Sequence, residues 1–142
     1  MRALLDINVL IALLDSDHSL HRAAAAWFAD NAGGGWASCA ITQNGCLRIM
    51  SHASYPNPLP ISVIADRLRD ATSNRIHEFW AADVSLLDSA RIDTSRIHGP
   101  RQLTDVYLLA LACRQNGRFV TLDHSVSIGA VMAARPKNLL KI

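Results

Sequence analysis

Ala3-Leu4-Leu5-Asp6-Ile7-Asn8-Val9-Leu10 decides how the chain reads, because an apolar run stops at a carboxylate and apolar residues resume at once. A short apolar run bounded in this way reads as a buried strand, and the continuation Val9-Leu10-Ile11-Ala12-Leu13-Leu14 is long enough to be a helix. Asp6 then stands at the carboxyl end of the first strand. In an open α/β sheet that edge is where ligands bind, because loops there present side chains without disturbing the packed layers. Asp6 and Asn8 fit equally as caps of the following helix, so residue type alone leaves structure and function both open.

The 142 residues are an ordinary length for one domain, and a single domain over 1–142 is the expectation. Half the residues are apolar and 18% are charged, which argues against disorder and for a well-covered sheet. The net charge of +2 says little about partners, but its make-up says more: twelve of the fourteen basic residues are Arg. Between Arg91 and Arg118 five Arg face only Asp93 and Asp105, a segment able to touch a polyanion through planar guanidinium forks or to form a solvated face. Cys39, Cys46 and Cys113 are an odd number without a Cys-x-x-Cys pair, which fits free thiols in a reducing, cytoplasmic compartment. The apolar start is broken by Asp6, Asn8, Asp15 and Asp17, unlike a signal peptide, and no run approaches the length of a membrane span.

Along the chain, Ser16-Asp17-His18 offers caps for a small-residue helix over 21–31, and Gly33-Gly34-Gly35 reads as a turn, since no phosphate-loop Lys-Ser/Thr follows. Residues 36–40 read as a second strand, with Thr42 capping a helix over 43–50 and Gln43 just inside it, near a strand's carboxyl edge. The proline-rich 54–60 is an ordered loop, and 62–72 returns to helical periodicity. An edge strand is expected at 77–81, a short helix within 82–87, and a further short helix within 126–134. Residues 104–115 are apolar nearly all round and predict a central buried helix with Asp105 in its first turn, stopped by Asn116-Gly117. A strand over 118–123 again ends in Asp, and 139–142 reads as the last strand.

Three acids therefore rhyme: Asp6 after a strand, Asp123 after a strand, and Asp105 at the start of a buried helix. Parallel strands with crossover helices bring such positions to one sheet edge. Carboxylates converging there repel one another, and a hard divalent cation with oxygen ligands, Mg²⁺ or Mn²⁺, relieves the repulsion and can activate a water.

Leu5-Asp6-x-Asn8-Val9-Leu10, Thr104-Asp105 opening an apolar helix, and Thr121-Leu122-Asp123 after it together resemble a PIN domain, specifically the VapC-type toxins of bacterial toxin–antitoxin pairs. The likeness runs over essentially the whole chain, including His18-x-x-His21 and Phe79-Trp80 ahead of Asp83 and Leu86-Leu87. It implies a three-layer α/β/α sandwich around a mostly parallel sheet. It also implies a Mg²⁺- or Mn²⁺-dependent endoribonuclease acting on structured or translation-associated RNA, neutralised by a VapB-type antitoxin and commonly homodimeric. Carried over by position, Asp6, Asp105 and Asp123 match the acidic metal-site positions. Gln43 departs from the pattern, since many PIN domains have a glutamate after the second strand, and the one glutamate here, Glu78, lies in the expected edge strand. Asn8, Gln43, Thr104 and Ser125 are candidates to support the acids, and His98 and Arg101 to touch RNA. His18 and His21 read mainly as structural, and His124 as a possible proton donor.

Two other readings compete. One is a PIN scaffold weakened by Gln43 that binds RNA or protein without cutting. The other is a phosphotransfer domain with Asp6 as nucleophile, although Ile7-Asn8-Val9-Leu10 lacks the second Asp such a site uses.

Overall fold

The computed structural model describes all 142 residues, Met1–Ile142. Its centre is one five-stranded, all-parallel sheet built from β1 (Ala3–Leu5), β2 (Trp36–Cys39), β3 (His77–Trp80), β4 (Arg118–Thr121) and β5 (Leu139–Lys141), in the order β3-β2-β1-β4-β5. Around it lie α1 (Ile7–Leu14), α2 (His21–Asn31), α3 (Ala40–Met50), α4 (Ile61–Thr72) and α5 (Leu103–Arg114). This is the α/β/α architecture expected from the sequence.

Alternation along the strands sorts the core into two faces, as a doubly covered sheet requires. Ala3, Leu5, Trp36 and Val120 pack with α1, α3 and α4, while Leu4, Ala37, Cys39 and Phe119 pack with α5 and the chain before and after it. The chain steps outward from β1 to β2 to β3, then jumps back through α5 to place β4 on the other side of β1. That reversal makes the carboxyl ends of β1 and β4 the topological switch point, where a crevice opens in sheets of this kind. Asp6 and Asp123 follow those two strands.

Gly45 lets α3 close over the start of α1, since a Cβ there would overlap the Ile7 side chain. At the far end of α5 Asn116 takes a positive φ of 54° and Gly117 N–H donates to Ala112 O at 2.8 Å, the stop expected from Asn-Gly.

Several local expectations are corrected. Residues 82–87 form no helix: six residues are too few to sustain one alone, and the segment is irregular apart from a turn at 86–87, with Val84 and Leu86 packed against the α5 side of the core. Residues 126–134 form no helix either. Val126, Ala130 and Ala134 are buried at helix-like spacing, but Val131 makes an antiparallel bridge with Ile92, flanked by Asp93 N–H to Ala130 O and Met132 N–H to Arg91 O. Thr42 is not the cap of α3; the helix starts at Ala40, and Thr42 Oγ1 reaches back to accept from Cys39 N–H at 3.0 Å. Ser16-Asp17-His18 does not cap α2, which begins after Leu20 without a side-chain cap. No helix is long and apolar enough to cross a membrane.

Candidate active site

Asp6 is 4% exposed, and both of its oxygens are engaged: Ile7 N–H donates to Oδ1 at 2.7 Å and Thr121 Oγ1 donates to Oδ2 at 2.6 Å. The capping reading is therefore correct as far as it goes, and a second anchor lies beyond it. Burial is the largest influence on the Asp6 carboxyl and raises its pKa; the two hydrogen bonds lower it, and the charge of Asp123 raises it further. A nucleophilic Asp6 is hard to reconcile with such enclosure.

Thr121 is the residue that sequence reasoning missed. Its hydroxyl donates to Asp6, accepts from Asn8 Nδ2 at 3.2 Å, and accepts from Asp123 N–H at 3.0 Å. Asn8 Oδ1 also accepts from Leu122 N–H at 3.1 Å, so α1 is stitched to the end of β4. The signal was available: a hydroxyl inside the buried run Phe119-Val120-Thr121 must find partners at the strand's end.

Asp123 has the opposite surroundings. It is exposed, and Ser125 N–H and Oγ both donate to its Oδ1, at 2.8 and 2.7 Å. The Ser125 hydroxyl and then its N–H hold the Asp123 carboxyl below the ordinary range, with help from His124 and Lys141. Ser125 thus sits against the Asp123 carboxylate. His124 is exposed, with its carbonyl accepting from Lys141 Nζ at 2.8 Å.

Asp105 enters from α5, half-buried, without a side-chain hydrogen bond or ion pair. Burial, then the negative charges of Asp6 and Asp123, push its pKa up to about 6. The three acids thus feel one another electrostatically. They do not close into a ready-made cage, since no group of three or more His, Cys, Asp or Glu side chains is arranged to hold a metal ion.

Asp105 borders two concavities. One, of about 430 Å³, also contains Asp6, Asn8, His18 and Thr104, with apolar walls from Ile7, Ile11, Ile49 and Tyr55. The other is smaller and more enclosed, about 30 Å³, and brings Arg96, Gln102, Ser125 and Ser127 to the opposite side of Asp105. Thr104 lines the first of these together with Asp6 and Asp105. Arg101 and His98 are exposed on the approach to α5; His98 N–H donates to Gln102 Oε1 at 2.8 Å, and neither side chain lines these concavities. Gln43 is a correction: its amide donates to Ser38 Oγ at 2.9 Å, and it lines a groove against α4 that holds none of the three acids. Glu78 pairs with Arg2 at 2.9 Å. His21 Nδ1 lies 2.7 Å from Ala12 O, a structural tie between α2 and α1.

A sheet with this switch point and acids at its carboxyl edge defines a class, and the family model for the PIN domain matches residues 3–128. Over its full length the chain is similar to named proteins of Mycobacterium tuberculosis. Ribonuclease VapC44 is 54% identical over 139 residues, covering 98% of both chains. Ribonuclease VapC39 is 40% identical over 131 residues, 92% of this chain and 94% of that protein, and ribonuclease VapC38 is 40% identical over 144 residues, 99% and 96%. The chain belongs to the PIN-domain family, among the VapC proteins.

Proposed function

We propose that the chain is a VapC-type toxin: a metal-dependent endoribonuclease that cuts structured or translation-associated RNA at its acidic edge and is neutralised by a VapB-type antitoxin. The observation that carries the reading is Asp105, a half-buried carboxylate with no cationic partner, raised to about 6 by burial and by its two acidic neighbours. None of the five ion pairs of the molecule involves Asp6, Asp105 or Asp123, so no paired cation within the protein offsets their charge. An oxygen-only donor set with excess negative charge suits Mg²⁺ or Mn²⁺, and these three acids would hold such an ion. When bound, the ion supplies Lewis acidity that activates a water and offsets charge developing on a phosphodiester.

The chain's own residues do the positioning. Thr121 fixes the Asp6 carboxylate, Ser125 fixes that of Asp123, and Asn8 ties the two strand ends together. Asp105 has no such anchor and is free to turn toward a cation. The free cysteines fit a cytoplasmic setting, and homodimerisation belongs to the same family reading.

The test is incubation of the purified chain with total cellular RNA, with Mg²⁺ and with chelator, beside Asp6→Asn, Asp105→Asn and Asp123→Asn. Cleavage that needs Mg²⁺ and is lost in the three variants is expected; variants that cut as fast as wild type overturn the reading. A second reading, a binding module without turnover, draws on Gln43 facing α4 and on the open arrangement of the acids. RNA binding with no metal-dependent cleavage selects it.

A further inference from the structure

The large concavity beside the acids does not end there. Ile49 and Tyr55 form part of its wall and also part of a second open groove, about 490 Å³, that continues to Arg48, His52, Ser54 and Pro56. The segment carrying that second groove is pinned to the first helix, because Tyr55 OH donates to Asp15, the residue that closes α1. The two histidines along this path are prepared in the same way. Leu20 N–H donates to His18 Nδ1 at 3.0 Å, and Ser54 N–H donates to His52 Nδ1 at 3.1 Å. A ring nitrogen that accepts from a backbone N–H leaves the ring proton on Nε2, so each histidine offers an N–H to whatever lies in the groove. Arg48 is exposed, and its guanidinium has no hydrogen bond or ion pair within the molecule.

We propose that this continuous groove is the path of the RNA strand on one side of the cleavage position. The apolar wall of Ile11, Ile49 and Tyr55 takes the nucleotide next to the acids, and Arg48 with His52 Nε2–H holds a backbone phosphate beyond it. The proposal rests on the ribonuclease reading above. Charge favours a polyanion here: at its far end, away from the acids, the groove offers an unpaired guanidinium, Arg48, and the imidazole donor of His52, while His18 offers a second imidazole donor beside the acids. Single-stranded recognition uses this combination of cationic backbone contacts and flat surfaces for bases.

The test measures binding of a labelled single-stranded RNA of randomised sequence to the full chain in chelator, so that no cutting is needed for the readout. Arg48→Gln and His52→Gln are compared with Arg75→Gln, an exposed arginine just ahead of β3, at the opposite edge of the sheet from the acids. Losing a charge-assisted phosphate contact weakens binding roughly 10- to 100-fold and lowers the slope of log affinity against log salt by about 0.7. That result is expected for Arg48→Gln, with a smaller loss for His52→Gln and none for Arg75→Gln. In cleavage assays Arg48→Gln raises KM and leaves kcat near wild type. Unchanged binding and slope in Arg48→Gln, while wild type still cuts RNA, overturns the groove and leaves the ribonuclease reading standing. The same is true if an antitoxin peptide, and not RNA, loses affinity in these variants. Wild type that binds RNA through Arg48 yet never cuts it overturns the ribonuclease reading and leaves the groove.

Discussion

Asp6 and Asp123 follow the two strands that pair across the switch point, and their surroundings push them in opposite directions. Asp6 is buried at the start of α1, and burial raises its pKa in spite of two hydrogen bonds. Asp123 stands in solvent, where Ser125 closes a turn on it and lowers its pKa. Residue type and strand position are the same in both. What differs is which groups reach each carboxylate, and Asp105 shows the limiting case, a carboxylate reached by none. A site built this way has one fixed buried acid, one fixed exposed acid and one unanchored acid between them.

The largest expected effect breaks the comparison at the level of activity. Asp6→Asn and Asp105→Asn lower the rate of Mg²⁺-dependent RNA cleavage by at least about 100-fold, since each removes charge from the site where phosphodiester charge develops. Asp123→Asn does the same, since the exposed acid shares the ion in this account. Initial rates on one RNA preparation rank the three.

Next in size is the hub between the strands. Thr121→Val removes the donor to a buried carboxylate and leaves Asn8 and Asp123 N–H without their acceptor, which costs about 2–3 kcal/mol in urea unfolding, whereas Thr121→Ser restores most of it. Equal losses for Val and Ser would assign the effect to packing alone.

pH separates the two carboxylates by sign. For Asp105 and Asp6 the folded pKa lies above the unfolded one, so their contribution is fully present below the unfolded value, about 4, and is lost as pH rises; for Asp105 the loss completes through about 6. Asp123 has a lowered pKa and acts the other way, with stability present above about 4 and lost as pH falls through its folded value. In chelator, Asp105→Asn therefore flattens the decline between pH 4 and 6, while Asp123→Asn reduces the loss in stronger acid. Carboxyl resonances followed by NMR give the same ordering directly.

The smallest effect concerns Gln43. With its amide turned to Ser38, Gln43→Glu changes Mn²⁺ affinity by less than about twofold, because charge added away from the ion is screened by solvent. Clear tightening by calorimetry would mean that the side chain swings to the acids.

The sheet and its acids were legible because their signals are local, short apolar runs that end in Asp and one long apolar helix that carries Asp105. The runs into Asp6 and Asp123 and the apolar α5 are recognisable without tertiary knowledge. The two false helices fail for different reasons: residues 82–87 are too few to sustain a helix alone, and within 126–134 Val131 is drawn into a bridge with Ile92, a partner nearly forty residues away about which a short apolar run carries no information. The same limit applies to Gln43, whose position in sequence matched the family's glutamate while its side chain found Ser38. Thr121 escaped notice because a hydroxyl beside a more obvious carboxylate is easily read as strand filler.

The central claim is that the three acids form one site whose repulsion a divalent ion relieves. Asp105 tests it most cleanly, because Asp6 doubles as a helix cap and Asp123 is tied into a turn, whereas Asp105 makes no hydrogen bond that its loss would break. The measurement is thermal unfolding of wild type and Asp105→Asn, each in chelator and in Mg²⁺. In chelator the variant should be as stable as wild type or more so. Mg²⁺ should then stabilise wild type by about 2.7 kcal/mol at a hundredfold excess over its dissociation constant, and the variant far less. A variant that melts lower in chelator, yet gains as much from Mg²⁺ as wild type does, would contradict a shared metal site.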